Sequence, residues 1–169
     1  MIAPSPWVGR FARHIPAGGE VLDLACGSGR HARLLAAAGH PVLAVDRGAA
    51  ALASLAAVPG VTPLAADLEG ADWPLAGRRF AGIVVTNYLW RPRLANVLEL
   101  LAPGGVLIYE TFMVGNERYG KPSNPDFLLR SQELLDLARS AGLTVLAYEE
   151  GYVDQPKPAL RQAICARQA

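Results

Sequence analysis

VLDLACGSGRHARLLAAAGHPVLAVD, residues Val21–Asp46, reads as a short hydrophobic strand, a glycine turn, a helix and a second strand that ends on a carboxylate. Together these pieces make one βαβ mononucleotide-binding unit, whose ligand groups collect at the carboxyl ends of its strands. Val21–Leu24 is the first strand and Gly29–Ala38 the helix, stopped by Gly39. Pro41–Asp46 is the second strand.

The same reading extends in both directions. Trp7, Val8, Phe11 and Ile15 are spaced for one face of a short helix, broken by Pro16-Ala17-Gly18-Gly19. Downstream, the pattern predicts a helix over Ala49–Ala57, a strand over Val61–Ala65 leading to Asp67, and a strand over Phe80–Thr86. A helix over Pro92–Leu101, a Pro103-Gly104-Gly105 turn and a strand over Val106–Thr111 follow. Ser131–Ala141 is a helix capped by Ser131 and stopped by Gly142, and Leu143–Tyr148 and Ala159–Arg167 are the last strands. Alternating strands and helices imply a doubly wound, largely parallel α/β sheet covered on both faces. The final two strands are joined by Glu149–Pro158, where Pro156 and Pro158 forbid a helix. So short a connection favours an antiparallel hairpin. Phe112–Arg130, with two Gly, two Pro and two Asn, is a long connection leaving the carboxyl end of a strand, where function concentrates.

The totals exclude several classes. A chain of 169 residues suits one domain over residues 1–169, and 51% hydrophobic with 18% charged residues suits a globular chain rather than a disordered one. The net charge of +1 gives nucleic acid no general support as a partner. The apolar runs are too short and broken to span a membrane, and MIAPSPWVGR lacks the pattern of a signal peptide. Cys26 and Cys165 make no disulfide framework, so a cytoplasmic location is expected. His14, His31 and His40 share no metal-ligand spacing with the cysteines; His31 is expected to face outward from the first turn of its helix and His40 to lie in a loop.

Two ligands compete for the glycine turn. Gly27-Ser28-Gly29-Arg30-His31-Ala32 matches G-x-G-x-x-A, which suits a dinucleotide with its pyrophosphate on the helix N-terminus. Asp46 would accept ribose hydroxyls from any adenosine-containing ligand. Asp23 discriminates. A carboxylate inside the strand is costly to bury alone, and beside a pyrophosphate it adds repulsion of a few kcal/mol. Beside an ammonium group, reached directly or through water, it is favourable. S-adenosylmethionine offers adenine, ribose, a sulfonium and an ammonium with no phosphate, so Asp23 favours it.

The segment Asp23-Leu24-Ala25-Cys26-Gly27-Ser28-Gly29 resembles the first motif of class I S-adenosylmethionine-dependent methyltransferases, written [DE]-x-G-x-G-x-G, with Ala25 in place of its first glycine. The resemblance covers nearly the whole chain and implies a Rossmann-like class I methyltransferase fold. It implies that Asp23, Ala25, Gly27 and Gly29 belong to the cofactor turn and that Asp46 binds the ribose. It places Asp67 of Ala66-Asp67-Leu68 at the adenine amino group and Leu68 against the ring. Leu101-Ala102-Pro103-Gly104-Gly105 resembles the family's L-x-P-G-G turn, and the terminal hairpin resembles its ending. In size and compact core the chain is similar to small bacterial methyltransferases related to the tellurite-resistance and thiopurine enzymes.

The acceptor side is less explicit. Thr86-Asn87-Tyr88 follows the fourth strand, which in the family faces the methyl group. It lacks the [DNS]-P-P-[YFW] pattern of base-amino and glutamine methylation. Asn87 would line the methionine end and Tyr88 wall the acceptor site; a packed aromatic in a turn is the competing reading. Arg91, Arg93, Arg118 and Lys121 converge on one rim and would recruit an anionic acceptor, or else are solvated surface charge. Trp7 is a lid over the cofactor mouth or, the expected reading, a core anchor. Cys26 lies near a helix N-terminus, which can lower a thiol pKa, but reads more simply as a small residue in a tight turn. Methyl transfer requires alignment and exclusion of water more than acid–base chemistry. The catalytic candidates are Tyr88, Glu110 and Tyr119, with Glu117 a further carboxylate in the loop; they form no recognisable acid–base pair, which suits an anionic or soft nucleophile. The expected function is therefore methyl transfer to a small molecule. The alternatives are a module that holds S-adenosylmethionine or its demethylated product without turnover, and an NAD(P)-dependent reductase, which lacks a Tyr-x-x-x-Lys pair and is opposed by Asp23.

Overall fold

Every residue of β1 (Val21–Leu24) is buried, and a strand buried on both faces needs a layer of helices on each. The computed structural model describes residues 2–169. β1 lies in a seven-stranded sheet of order β3-β2-β1-β4-β5-β7-β6. Its other strands are β2 (Val42–Asp46), β3 (Val61–Ala65), β4 (Phe80–Thr86), β5 (Leu101–Phe112), β6 (Thr144–Val153) and β7 (Ala159–Arg167). β1 to β5 run parallel, and β7 is antiparallel to both β5 and β6. This is the expected doubly wound sheet with a C-terminal antiparallel hairpin. Chain order reverses between β1 and β4, which opens a crevice at their carboxyl ends.

Strand alternation separates two cores. Leu22 and Leu24 of β1, with Ile83, Val85, Leu107 and Tyr109, pack against α4 (Leu94–Leu98) and α5 (Glu133–Ser140). Val21, with Ala44, Val84, Val106 and Ile108, packs against α1 (Pro6–Phe11), α2 (Arg30–Ala37) and α3 (Ala49–Ala53). Trp7 is in that second core, 8% exposed, and its indole Nε1–H donates to the carbonyl of Ile164 at 3.2 Å. Trp7 is therefore a core anchor. Ser5 caps α1 by accepting from the backbone N–H groups of Trp7 and Val8.

Several elements depart from the pattern in the sequence. α3 ends at Ala53, four residues early, because Leu55 turns in and fills the space beside Gly29; a Cβ on Gly29 would lie 2.5 Å from the Leu55 Cδ2. The helix expected over Pro92–Leu101 is a 3-10 turn (Arg91–Arg93) followed by the short α4. Arg93 is drawn away by the carbonyls of Gly70 and Ala71, and Leu101 already pairs with Phe80 in the sheet. The Pro103-Gly104-Gly105 turn is absorbed into β5, where the register shifts between Phe80 and Gly82. Gly105 is required there, since a Cβ would meet the carbonyl oxygens of Ala102 and Phe80 at 2.8 and 2.9 Å. Ser131 does not cap α5. Its hydroxyl donates to Glu150, and Gln132 takes the cap position at φ 62°. β6 runs on to Val153, past the expected Tyr148, because the hairpin partner β7 pairs with it throughout.

Ala25 occupies the left-handed region at φ 53°, a conformation that costs a residue with a Cβ about 1–2 kcal/mol. Ala25→Gly should therefore raise stability by about 1 kcal/mol, an increase of about 2–4 °C in the thermal midpoint of a chain this size. A midpoint that stays put or falls contradicts this.

Candidate functional site

The carboxyl ends of the parallel strands open into a cleft of about 450 Å³. It is lined by Ala25, Asp46, Asp67, Leu68, Asn87 and Tyr88, all singled out from the sequence, and closed by Leu89, Phe112, Pro122 and Phe127. The polar groups are fixed by the backbone. Asp46, at the end of β2, accepts from the N–H of Gly27 at 2.9 Å through one oxygen and from that of Gly48 at 2.8 Å through the other. Each oxygen keeps acceptor capacity to spare, and Asp46 lines the cleft. Asp67 accepts from the N–H of Glu69 at 2.9 Å, which orients its carboxylate after β3. Tyr88 donates its hydroxyl to Glu69 at 2.9 Å, and its carbonyl accepts from Tyr109 at 2.7 Å. Burial and Glu69 hold the Tyr88 phenol well above its ordinary range, so it stays protonated. Asn87 adopts φ 55°, which this residue type tolerates better than most.

In the strand that feeds the glycine turn lies Asp23. It is 1% exposed, and its Oδ2 is the only buried side-chain polar atom without a partner among the described residues. It stands in register with Ala44 and Val84, so its sheet neighbours on both sides are apolar. Burial raises its pKa from 3.8 to about 7, opposed by the Ala32 backbone and by Arg30 and assisted by Asp46. Gly27, at φ 56°, has nothing within 4 Å of a Cβ position, so the turn leaves open space there. Burial, with Asp23 and Asp46 nearby, pushes the Cys26 thiol up rather than down, which leaves Cys26 a small turn residue and not a nucleophile.

His31 corrects the sequence reading. It does not face outward but is 2% exposed. The N–H of Ser5 donates to its Nε2 at 3.0 Å, which puts the ring proton on Nδ1, facing the Thr86 hydroxyl at 3.4 Å. Burial and then Arg30 depress its pKa from 6.5 to about 4.

The expected cationic rim is largely framework. Arg91 grips Glu133 with Nε and Nη2 at 2.7 and 2.8 Å and also donates to the carbonyls of Asp126 and Leu128. Arg93 is taken up by backbone carbonyls and stacks over Trp73. Glu117 accepts from the N–H of Gly115 inside the loop. Tyr119 is 44% exposed and packs on Tyr152, apart from the cleft lining. Glu110 lies 3.8 Å from Arg161, a residue the sequence reading passed over. Its signal was present, since an arginine within the apolar run Ala159–Ala166 needs a partner.

A family model described as a methyltransferase domain matches residues 21–105. The chain belongs to this family, the class I S-adenosylmethionine-dependent methyltransferases. No curated protein matches its sequence. Among solved structures it is similar to TehB from Haemophilus influenzae, with TM-score 0.84 and 21% identity over 100% of this chain and 64% of that one. The chain thus spans about two thirds of TehB's length. A TehB-like S-adenosylmethionine-dependent methyltransferase from Corynebacterium glutamicum gives TM-score 0.70 and 20% identity over 96% and 87% of the two chains. The 1,6-didemethyltoxoflavin-N1-methyltransferase of Burkholderia thailandensis, solved with 1,6-didemethyltoxoflavin and S-adenosylhomocysteine, gives TM-score 0.70 and 23% identity over 97% and 77%. At these identities the likeness is one of fold. No helix among the described residues is long and apolar enough to cross a membrane.

Asp23 and His31 oppose each other in acid. Between about pH 4 and 7 the folded protein keeps a proton on Asp23 that the unfolded chain has released, so this group makes stability fall as pH rises. Between about pH 4 and 6.5 the unfolded chain keeps a proton on His31 that the folded protein lacks, so that group makes stability rise. Each slope is at most about 1.4 kcal/mol per pH unit. Denaturant midpoints from pH 4.5 to 6.5 should show Asp23→Asn gaining on the wild type as pH rises and His31→Gln losing ground. Parallel curves for all three proteins would refute the assignment.

Proposed function

We propose that residues 1–169 act as one S-adenosylmethionine-binding unit that methylates a small-molecule acceptor. The observation that carries this reading is the buried, unpartnered Asp23 oxygen in the strand that feeds the glycine turn, where Gly27 has open space at its Cβ position. A carboxylate in that state calls for a cation, and the cofactor's ammonium is one. A pyrophosphate would make it worse, which argues against the dinucleotide reading.

The donor set fits the rest of the cofactor. Asp46 has a free lone pair on each oxygen for the ribose hydroxyls, and Ala25, Gly27 and Gly29 bring the turn's backbone close. Asp67 takes the adenine amino group, with Leu68 against the ring and Asn87 at the methionine end. When bound, the cofactor supplies a methyl carbon activated by its sulfonium. The chain aligns and excludes water with Leu89, Phe112, Pro122 and Phe127. Tyr88 stays protonated, Tyr119 lies apart from the cleft lining, and the Glu110 charge is countered by Arg161 at 3.8 Å. A site without a free base suits an acceptor that reacts without losing a proton to the protein, an anion or a soft nucleophile. The Burkholderia protein, solved with 1,6-didemethyltoxoflavin bound, is consistent with a small-molecule acceptor.

Three measurements test this. Asp46→Ala should weaken S-adenosylhomocysteine binding by about ten- to a hundredfold in calorimetry, the worth of about 1.5–3 kcal/mol of charge-assisted hydrogen bonding. Wild-type affinity for S-adenosylmethionine should tighten from pH 6 to 8 as Asp23 loses its proton, and this dependence should vanish in Asp23→Asn. Labelled methyl from the cofactor should appear in a small-molecule fraction of cell extract. Tight cofactor binding with no label in any such fraction would instead mark a module without turnover.

A further inference from the structure

Arg161 bridges β5 and the turn after β4, and its contacts hold its charge in place without using all of its donors. It lies opposite Phe112 across the β5–β7 pair, with its guanidinium 4.5 Å from the centre of that ring. Stacking on one face fixes the guanidinium plane and leaves its edge donors free. One of them is used: Nη2 donates to the Asn87 side-chain oxygen at 2.7 Å. The Glu110 carboxylate, at 3.8 Å, is an ion-pair neighbour beyond hydrogen-bond reach. Nε and Nη1 have no acceptor in the protein, and neither is sealed from solvent, since Asp23 Oδ2 is the only sealed orphan among the described residues. The side chain is only 15% exposed. Burial works against its charge, Glu110 supports it, and Arg30 nearby adds a second positive charge. Asn87 and Phe112, the two groups that hold it, both line the cleft.

We propose that Arg161 is the handle for the methyl acceptor, and that the acceptor carries a carboxylate which pairs with the free Nε and Nη1 donors of Arg161 beside Asn87 and Phe112. This rests on the methyltransferase reading above and narrows its substrate class. A planar carboxylate matches the fork of an arginine edge with two parallel hydrogen bonds. The cofactor's own carboxylate is the competing partner, because Arg161 donates to Asn87, the residue set at the methionine end, and the cofactor affinity of Arg161→Gln separates the two. The paired carboxylate is a handle and not the methylated group, because the guanidinium withdraws the charge its oxygen would need to attack. The handle also takes over the role expected of Arg91 and Arg93, whose donors are spent on the fold.

The test is calorimetry on the protein saturated with S-adenosylhomocysteine, titrated with acetate, benzoate and phenylacetate and with the matching amides. At least one carboxylate should bind at least tenfold more tightly than its amide. In Arg161→Gln that preference should disappear, with S-adenosylhomocysteine affinity within twofold of wild type, which also shows that the variant is folded. Equal binding of carboxylates and amides to the wild type, or no carboxylate binding, overturns the proposal without need of any variant. A carboxylate preference that survives in Arg161→Gln overturns it too. So does a loss of cofactor affinity in that variant, which would make Arg161 a cofactor contact. Failure of the wild type to bind S-adenosylhomocysteine strikes the methyltransferase reading itself.

Discussion

A carboxylate buried in the central strand, with one oxygen left unpartnered, is the constraint around which this protein is arranged. Asp23 is flanked in the sheet by apolar Ala44 and Val84 and precedes the glycine turn, where a Cβ on Gly27 would meet nothing. Burial outweighs the Ala32 backbone and Arg30, so it is held near neutral pH between its two protonation states. Folding alone gives no reason for such a residue. A cationic ligand does, and the remaining cleft groups follow from where that ligand's other parts must lie. Asp46 ends β2, the next strand outward from β1, and Asp67 follows β3, the one after it.

The two faces of the sheet divide the work. The face under α4 and α5 is apolar except for the buried Thr111 and Gln162, the latter accepting from the N–H of Leu134 in α5, whereas the face under α1 to α3 turns polar toward the cleft, with Asp23, Thr86 and Glu110 near the carboxyl ends of parallel strands and Arg161 near the start of antiparallel β7. His31 fastens the segment before α1 to that polar end through Ser5 and Thr86, and it does so as a neutral ring. The long connection after β5 is likewise built rather than loose. Buried Asn116 accepts from the N–H of Leu160 and donates to the carbonyl of Pro122, and the Arg91–Glu133 pair ties its far end to the turn after β4. That bracing sets Pro122 and Phe127 as walls of the cleft.

Much of this was legible in the chain. Short apolar strands alternating with helices, stopped by Gly39 and Gly142, gave the sheet order its parallel core, and the paired prolines before Ala159 gave it a hairpin ending. Asp23, Asp46 and Asp67 were legible because each is a carboxylate at or near the end of an apolar strand, where burial would be costly without a ligand. What was not legible depended on contacts between distant residues. The helix after Gly48 stops early because Leu55 fills the gap at Gly29, a packing event that no local propensity encodes. Ser131 has a capping side chain, yet Glu150, from the neighbouring β6, captures it.

The sequence by itself determined the strands, the glycine turn and the acidic residues that follow it, because these rest on local periodicity and on the cost of burying charge. Only the tertiary structure decided which charges are spent and which are free. Arg91, Arg93 and Arg161 are equivalent as letters. Two of them meet acceptors brought close by the fold, and the third meets a ring and an amide that leave its donors open. Charge pairing acts over a few ångströms in space, and the spacing of residues along a chain does not fix that distance.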